Sequence, residues 1–248
     1  RRVEKNQMKI ENFISKYNIQ KIKKLEQKDP QFLALQETWK KIKNKNENLF
    51  LYLTIQCSLV SYQIAWTGEL RRKEFGDKIW KDRSLLQNLR QKKQDNSIWR
   101  YNFLTNSKYN KRIYNIKTDR IKKFNKILKN NINFQNFWND LEELNDLVSK
   151  TMKVKKESKT NVFSVKMFWY AYEIISWKET IYPMDVQIPV DSRIKKIYIN
   201  SLSKKEKANS INSTDIQNYF QTLSKKYNIP PLHLDSILWL DYWTKFFI

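Results

Sequence analysis

A lysine and an aspartate, Lys159 and Asp191, stand 32 positions apart, each at the mouth of a helix that the sequence predicts. Lys159 lies in Glu157-Ser158-Lys159-Thr160, ahead of an apolar run through Phe163, Val165, Met167, Phe168, Trp169 and Tyr172. Asp191 lies in Ile188-Pro189-Val190-Asp191-Ser192-Arg193-Ile194. Ser158 is the expected cap of the first helix and Asp191 of the second. An amine becomes nucleophilic where a helix dipole and apolar neighbours disfavour its ammonium form, and the segment around Lys159 offers both. With a carboxylate beside it, such an amine can attack an electrophilic carbon. The plainer alternative is a solvated first-turn lysine and an ordinary aspartate cap. Phe163 and Lys166 follow Lys159 by four and seven positions, which sets amine, aromatic ring and second cation on one helical face. Their alternative is a core phenylalanine and a lysine snorkelling at the core's edge.

Other chemistries are poorly supplied. Cys57 is the only cysteine, so a disulfide framework, a zinc site or an iron-sulfur cluster is not built within the 248 residues, and a reducing interior is expected. His233 is the only histidine, which sets aside Ser-His-Asp, Cys-His and multi-histidine metal chemistry. An enzyme here works with Lys, Asp, Glu, Tyr or Ser. The formal charge of +23, together with 14% aromatic residues, points to a folded surface facing a polyanion, with nucleic acid ahead of an anionic membrane. Part of the excess is compositional drift toward Lys, Asn and Ile. The uncharged stretch Leu49 to Trp66 is interrupted by Thr54, Gln56, Ser58, Ser61 and Gln63, so it reads as a buried central helix rather than a membrane span. The segment Arg1 to Gln7 does not read as a signal peptide, and a start at Arg1 suggests an incomplete N-terminus.

Two glycines, five prolines and helical periodicity throughout predict an all-α fold, with a chain long enough to bury a core as one large domain or two packed subdomains. Helices are expected over Val3 to Tyr17, Gln20 to Gln27, and from Asp29-Pro30 through Phe32, Leu35 and Trp39. A basic helix is expected over Lys111 to Lys129, burying Ile113, Ile116, Ile121, Phe124 and Ile127. Phe134 to Met152 forms the next, and Lys153 to Glu157 is short enough for a hairpin before the Lys159 helix. Further helices run from Asp191 through Leu202, from Ser213 or Thr214, and from Leu232 to Phe247 behind Pro230-Pro231.

In this order, helix, hairpin, Lys159, proline-bearing loop and Asp191 resemble the helix-hairpin-helix DNA glycosylases, and more closely the archaeal 8-oxoguanine DNA glycosylase group (AGOG type). The resemblance rests on Asp29-Pro30-Gln31-Phe32, Leu59-Val60-Ser61-Tyr62, Phe75-Gly76, Lys159 through Met167, Ile188-Pro189-Val190-Asp191 and Ile229-Pro230-Pro231-Leu232-His233-Leu234-Asp235. It implies residues 1–248 as one catalytic unit of two packed helical subdomains with a cleft between them, the helix-hairpin-helix and proline-loop region covering about 134–202.

The resemblance further implies a bifunctional DNA N-glycosylase and AP lyase that excises 8-oxoguanine in base excision repair. Lys159 is then the Schiff-base nucleophile and Asp191 the group that holds it and stabilises charge on the sugar. Because the nucleotide must leave the stack, a pocket is implied: Gln31 bonding the base edge, Phe163 and Trp239 stacking, Lys166 and Asp235 completing the polar lining. Gln31 as a first-turn surface residue and Trp239 as a core tryptophan are the alternatives. Phosphates are expected at the hairpin amides, reinforced by Lys153, Lys155 and Lys156, unless those lysines are only a solvated run. The partner implied is DNA containing oxidised guanine, without a membrane, and the protein is expected to be a monomer inside the cell, in the cytoplasm or nucleoid of an archaeon; neither cofactor nor metal is implied. Two departures stand out. The hairpin has no glycine, and Arg71-Arg72-Lys73 occupies the place of a pocket tryptophan, for which Trp66 is the nearby substitute. The competing readings are a noncatalytic basic helical nucleic-acid-binding protein, which explains only the charge, and an RNA-associated factor.

Overall fold

The computed structural model describes residues 10–41, 46–63, 70, 73–74, 76–77, 104–110, 112–127, 132–202 and 210–247. After a short helical stretch at 10–14, the helices run α1 (Ile19–Glu26), α2 (Pro30–Lys41), α3 (Glu47–Leu59), α4 (Tyr114–Asn125), α5 (Leu141–Met152), α6 (Lys159–Ser176), α7 (Ser192–Ser201), α8 (Ser213–Tyr227), α9 (Pro231–Ser236) and α10 (Trp243–Phe247). A 3₁₀ turn occupies Phe134–Trp138, and a π-helical segment, Ile237–Tyr242, joins α9 to α10. All regular structure among the described residues is helical, as the sparse glycine and the 3.6-residue periodicity predict.

The chain divides into two compact units. One is assembled from three stretches, Arg1–Asp29, Lys156–Val162 and Glu179–Ile248; the other from Pro30–Lys155 and Phe163–Lys178. The first unit closes on a core of Ile10, Phe13 and Ile22 from its N-terminal stretch with Ile188, Ile194, Ile197, Phe220, Leu234 and Ile237 from its C-terminal one. Tyr17 donates to the Asp241 carboxylate, and Phe13 packs edge-on to Tyr242 at 5.1 Å. Both links join the ends of the chain. α8 begins with a capping box: the Asn212 side chain accepts from the Asp215 N–H, and the Asp215 carboxylate accepts from the Asn212 N–H.

The second unit is built around α3, whose residues from Phe50 to Leu59 are all buried. A helix apolar on every side belongs in the middle of a core. Its polar members bond locally: the Ser58 hydroxyl donates to the Thr54 carbonyl at 2.7 Å, and Tyr52 Oη and Gln56 Nε2 both donate to Asn125 Oδ1. Tyr52 stacks on Phe124 at 5.3 Å, and Trp138 stacks on Tyr172 at 3.9 Å. Gly76 lies against Thr38 so closely that a Cβ there would collide with the threonine hydroxyl.

Several expected boundaries shift for identifiable reasons. Phe134 to Met152 is not one helix. Asp140, extended at ψ 87°, accepts from the Glu143 N–H at 2.8 Å and starts α5 afresh after the 3₁₀ turn. In the basic helix α4, Ile121, Phe124 and Ile127 are buried as expected, but Ile113 and Ile116 are exposed. Ile113 precedes α4 in a left-handed conformation (φ 49°), which turns its side chain off the stripe. Residues 3–9 of the first expected helix, Trp66, Arg71, Arg72 and Phe75 lie outside the described residues. No helix among the described residues is long and apolar enough to cross a membrane.

Candidate active site

α6 begins where the sequence places it. The Ser158 carbonyl accepts from the Asn161 and Val162 amides at 2.9 and 3.1 Å, so Ser158 occupies the cap position by its backbone. Its hydroxyl, the expected side-chain cap, makes no hydrogen bond among the described residues. Buried Asn161 fastens the turn instead, its Nδ2 donating to the Lys156 carbonyl at 3.1 Å. Lys159 stands at this end, exposed rather than enclosed by apolar groups. α6 is continuous through Phe163 and Lys166, so the amine, the half-buried ring and the buried cation do share one helical face.

Asp191 is extended (φ −102°, ψ −176°) and caps α7: Oδ1 accepts from the Arg193 and Ile194 amides, both at 2.9 Å. Its second oxygen is held from another element, because Trp239 Nε1 donates to Oδ2 at 3.0 Å. Cap and carboxylate orientation are thus one structure. The π-helical segment sets this up. Trp239 lies within it, where the turn is wider than in a regular helix. The Arg193 guanidinium lies 3.9 Å from the centroid of the Trp239 ring and covers one face of it. Lys196 sits 5.3 Å from the rings of both Trp243 and Phe247, which are themselves stacked at 4.5 Å.

One buried side chain joins the two segments. Gln217 of α8 donates from Nε2 to the Glu157 carbonyl at 3.0 Å and to the Ile188 carbonyl at 3.1 Å. Glu157 is two residues before Lys159 and Ile188 three before Asp191, so a single amide nitrogen holds the approach to the amine and the approach to the acid together. Farther along the same loop, the Tyr182 amide donates to His233 Nε2 at 3.2 Å. The other ring nitrogen, Nδ1, lies 2.9 Å from Glu26 Oε1, which also accepts from the Ser236 hydroxyl at 2.8 Å. An Nε2 that accepts an amide proton leaves Nδ1 as the protonated nitrogen, so His233 is the neutral Nδ1–H tautomer. Lys23 lies 3.5 Å from Glu26 Oε2, giving the buried carboxylate a cation.

Lys159, Asp191, Asp235 and Trp239 fall in the first unit; Gln31, Phe163 and Lys166 fall in the second. Of these, the structure bonds Asp191 to Trp239 directly. Gln31 is buried rather than a surface residue of the first turn of α2, and Asp235 and Lys166 are buried too, the last with its ammonium 5.7 Å from the Tyr170 ring. Trp239 is only partly buried, which sets aside a purely core role. In the hairpin, Lys153 (φ 54°) adopts the left-handed conformation that ends α5, its amide donating to the Lys150 carbonyl and that of Val154 to the Ser149 carbonyl. A lysine performs a turn that glycine usually makes. Lys153 and Lys155 are exposed and Lys156 is half-buried. Among the described residues, no three His, Cys, Asp or Glu side chains gather around a point that would hold a metal ion.

Sequence reasoning missed Gln217, Arg193 and Glu26. A signal existed for two of them. Glu26 follows Ile22 by four positions and Gln217 precedes Phe220 by three, so each is a polar residue on an apolar helical stripe.

Residues 11–245 match the family model described as AGOG: N-glycosylase/DNA lyase. An N-glycosylase/DNA lyase of Methanococcus maripaludis is 37% identical over 229 residues, covering 90% of this chain and 82% of its own. One from Methanopyrus kandleri is 29% identical over 238 residues, covering 94% and 88%. Among solved structures, the 8-oxoguanine DNA glycosylase of Pyrobaculum aerophilum, crystallised with 8-oxoguanosine, has the same fold: TM-score 0.76 at 22% identity, covering 96% of this chain and 87% of that one.

Proposed function

From its membership of the AGOG family of N-glycosylase/DNA lyases, to which this chain belongs, we propose that the enzyme excises 8-oxoguanine from DNA and cleaves the strand at the resulting abasic site, with Lys159 as nucleophile and Asp191 as its acid partner. The observation that carries this reading is the pairing of an exposed Lys159 at the start of α6 with a carboxylate held on three donors, on segments that Gln217 ties together. A noncatalytic binding protein has no use for that arrangement.

The chemistry follows from the positions. The Lys159 amine, once neutral, attacks the anomeric carbon of the damaged nucleotide. The bond to the base breaks and the base leaves with the electron pair and takes up a proton; the attacking nitrogen gives up one proton, and the C1′ bond to the ring oxygen then opens, that oxygen taking a proton, to leave an iminium that keeps one N–H. That cation draws electrons when the 2′ proton is removed, and the 3′ phosphate departs by β-elimination. Asp191 accepts the lysine proton or faces the positive charge growing on the sugar.

In this reading the base leaves the stack, Gln31 bonds its edge, Phe163 and Trp239 stack on it, and Lys166 and Asp235 complete the polar lining. Exposed Lys153 and Lys155, with Lys156, meet backbone phosphates at the hairpin. The enzyme acts as a monomer on DNA within the cell.

Incubation with a duplex holding one 8-oxoguanine, followed by borohydride reduction, is expected to trap a covalent protein–DNA adduct in the wild type. Lys159→Gln is expected to abolish adduct and strand cleavage while duplex binding persists. A Lys159→Gln enzyme that still cuts would refute the assignment.

A further inference from the structure

We propose that Gln217 is a positioning residue for the reaction, and that its amide sets the spacing between the segments that present Lys159 and Asp191; this rests on the lysine–carboxylate reading above. Both protons of Nε2 are committed, one to the Glu157 carbonyl and one to that of Ile188. The two carbonyl oxygens are therefore no farther apart than two hydrogen bonds laid end to end. Gln217 is 3% exposed, its bond to the Ile188 carbonyl is buried and that to the Glu157 carbonyl part-buried, so a lost donor is not readily replaced by water on the Ile188 side, and the two carbonyls left facing each other would repel and separate.

The lever arms are short. Lys159 is the second residue after Glu157, and the geometry between them is fixed because the helix begins at once. Asp191 is the third residue after Ile188, and Pro189 restricts the path between them. The far side of Asp191 is secured independently through Trp239. If the loop moves away from the hairpin, the carboxylate either keeps its Trp239 bond and leaves the amine or follows the loop and loses that bond. Covalent catalysis is sensitive to such displacement, since a misplacement near 1 Å can cost about a hundredfold in rate. DNA binding, spread over many phosphate contacts, is not.

The test uses Gln217→Met, which conserves volume and lacks both donors, and Gln217→Asn, which keeps an amide but is too short to reach both carbonyls. Single-turnover excision of 8-oxoguanine, adduct yield and duplex affinity are measured on each, with circular dichroism and thermal unfolding alongside. The expected result is a rate loss of about tenfold or more in Gln217→Met and a smaller loss in Gln217→Asn, with Kd within about threefold of wild type. In an Asp191→Asn background, Gln217→Met is expected to cost little more, because the spacing it governs has already lost its acid. A wild-type rate in Gln217→Met overturns the proposal, as does equal loss of rate and affinity, or full additivity with Asp191→Asn. If Gln217→Met does not fold, Gln217→Asn decides: a wild-type rate overturns and a rate loss at unchanged affinity supports. Failure of the lyase reading shows separately, as absence of adduct in the wild type.

Discussion

Asp191 carries two duties that substitutions can separate. Asparagine retains the Oδ1 acceptor for the Arg193 and Ile194 amides and caps helices about as well as aspartate, so Asp191→Asn should leave the thermal midpoint nearly unchanged. It removes the charge and turns an amide toward the Trp239 N–H, so excision and strand cleavage should collapse. Asp191→Ala should show the same loss of activity plus a stability cost of about 1 kcal/mol, read by denaturant unfolding. Trp239 divides in the same way. Trp239→Phe keeps an aromatic face and deletes the donor to Oδ2. A lost hydrogen bond to a charged group is worth about 1.5–3 kcal/mol, so the single-turnover rate should fall roughly tenfold to a hundredfold, with duplex affinity little changed. Equal rates for Trp239→Phe and wild type would show that the indole serves the base alone.

The elements around these residues make separate predictions. Lys153 holds a left-handed turn that costs a β-carbon-bearing residue free energy and glycine almost none, so Lys153→Gly should stabilise the chain, by up to about 1 kcal/mol in chemical denaturation. The same change should flatten the slope of log affinity against log salt by about one if that lysine meets a phosphate. His233, the only histidine, gives an unambiguous imidazole signal. Its ¹⁵N shifts should report the Nδ1–H tautomer at neutral pH, and the Nε2–H form would mean that the Tyr182 amide is bonded elsewhere. Much at this scale was legible in advance. Asp191 before Ser192-Arg193-Ile194 is a cap by residue type, and the apolar run after Ser158 is long enough to specify α6. Asn139-Asp140 carried a cap signal that the aromatic run Phe134 to Trp138 masked. The π-helical segment left none, because Ile237 to Tyr242 has the composition of an ordinary helix and its register is decided by what Trp239 and Asp241 reach across to bond. Gln217 shows in the sequence only as a polar residue on an apolar stripe: its partners are carbonyls 60 and 29 positions away, which no local pattern encodes.

For the molecule as a whole, the formal charge of +23 makes ionic strength the first experimental variable. Duplex affinity should fall steeply with salt as phosphate contacts release counterions, and an affinity indifferent to salt would contradict a DNA substrate. Alkaline stability has its own source. Burial raises the Tyr242 phenol from its ordinary value to about 12, with neighbouring Tyr219 adding to it, and burial followed by the bond to Asp241 raises Tyr17 as well. Both groups favour the folded state in neutral form, so their contribution is complete below the unfolded phenol value near pH 10 and fades as pH climbs toward the folded values. The thermal midpoint should hold to about pH 10 and then drop, and Tyr242→Phe should shrink that drop. The three-stretch construction of the first unit also governs how the chain is made. During synthesis, Ile10, Phe13, Ile22 and Glu26 emerge early and wait through more than two hundred residues for Ile237, Tyr242 and Asp241 before their core can close. A ribosome stalled before that tail therefore carries a nascent chain in which the Pro30–Lys155 stretch has the residues it needs to begin collapsing, while the unit holding Asp191 is still unsealed. Protease pulses on stalled chains should cut the first 29 residues until the tail is released.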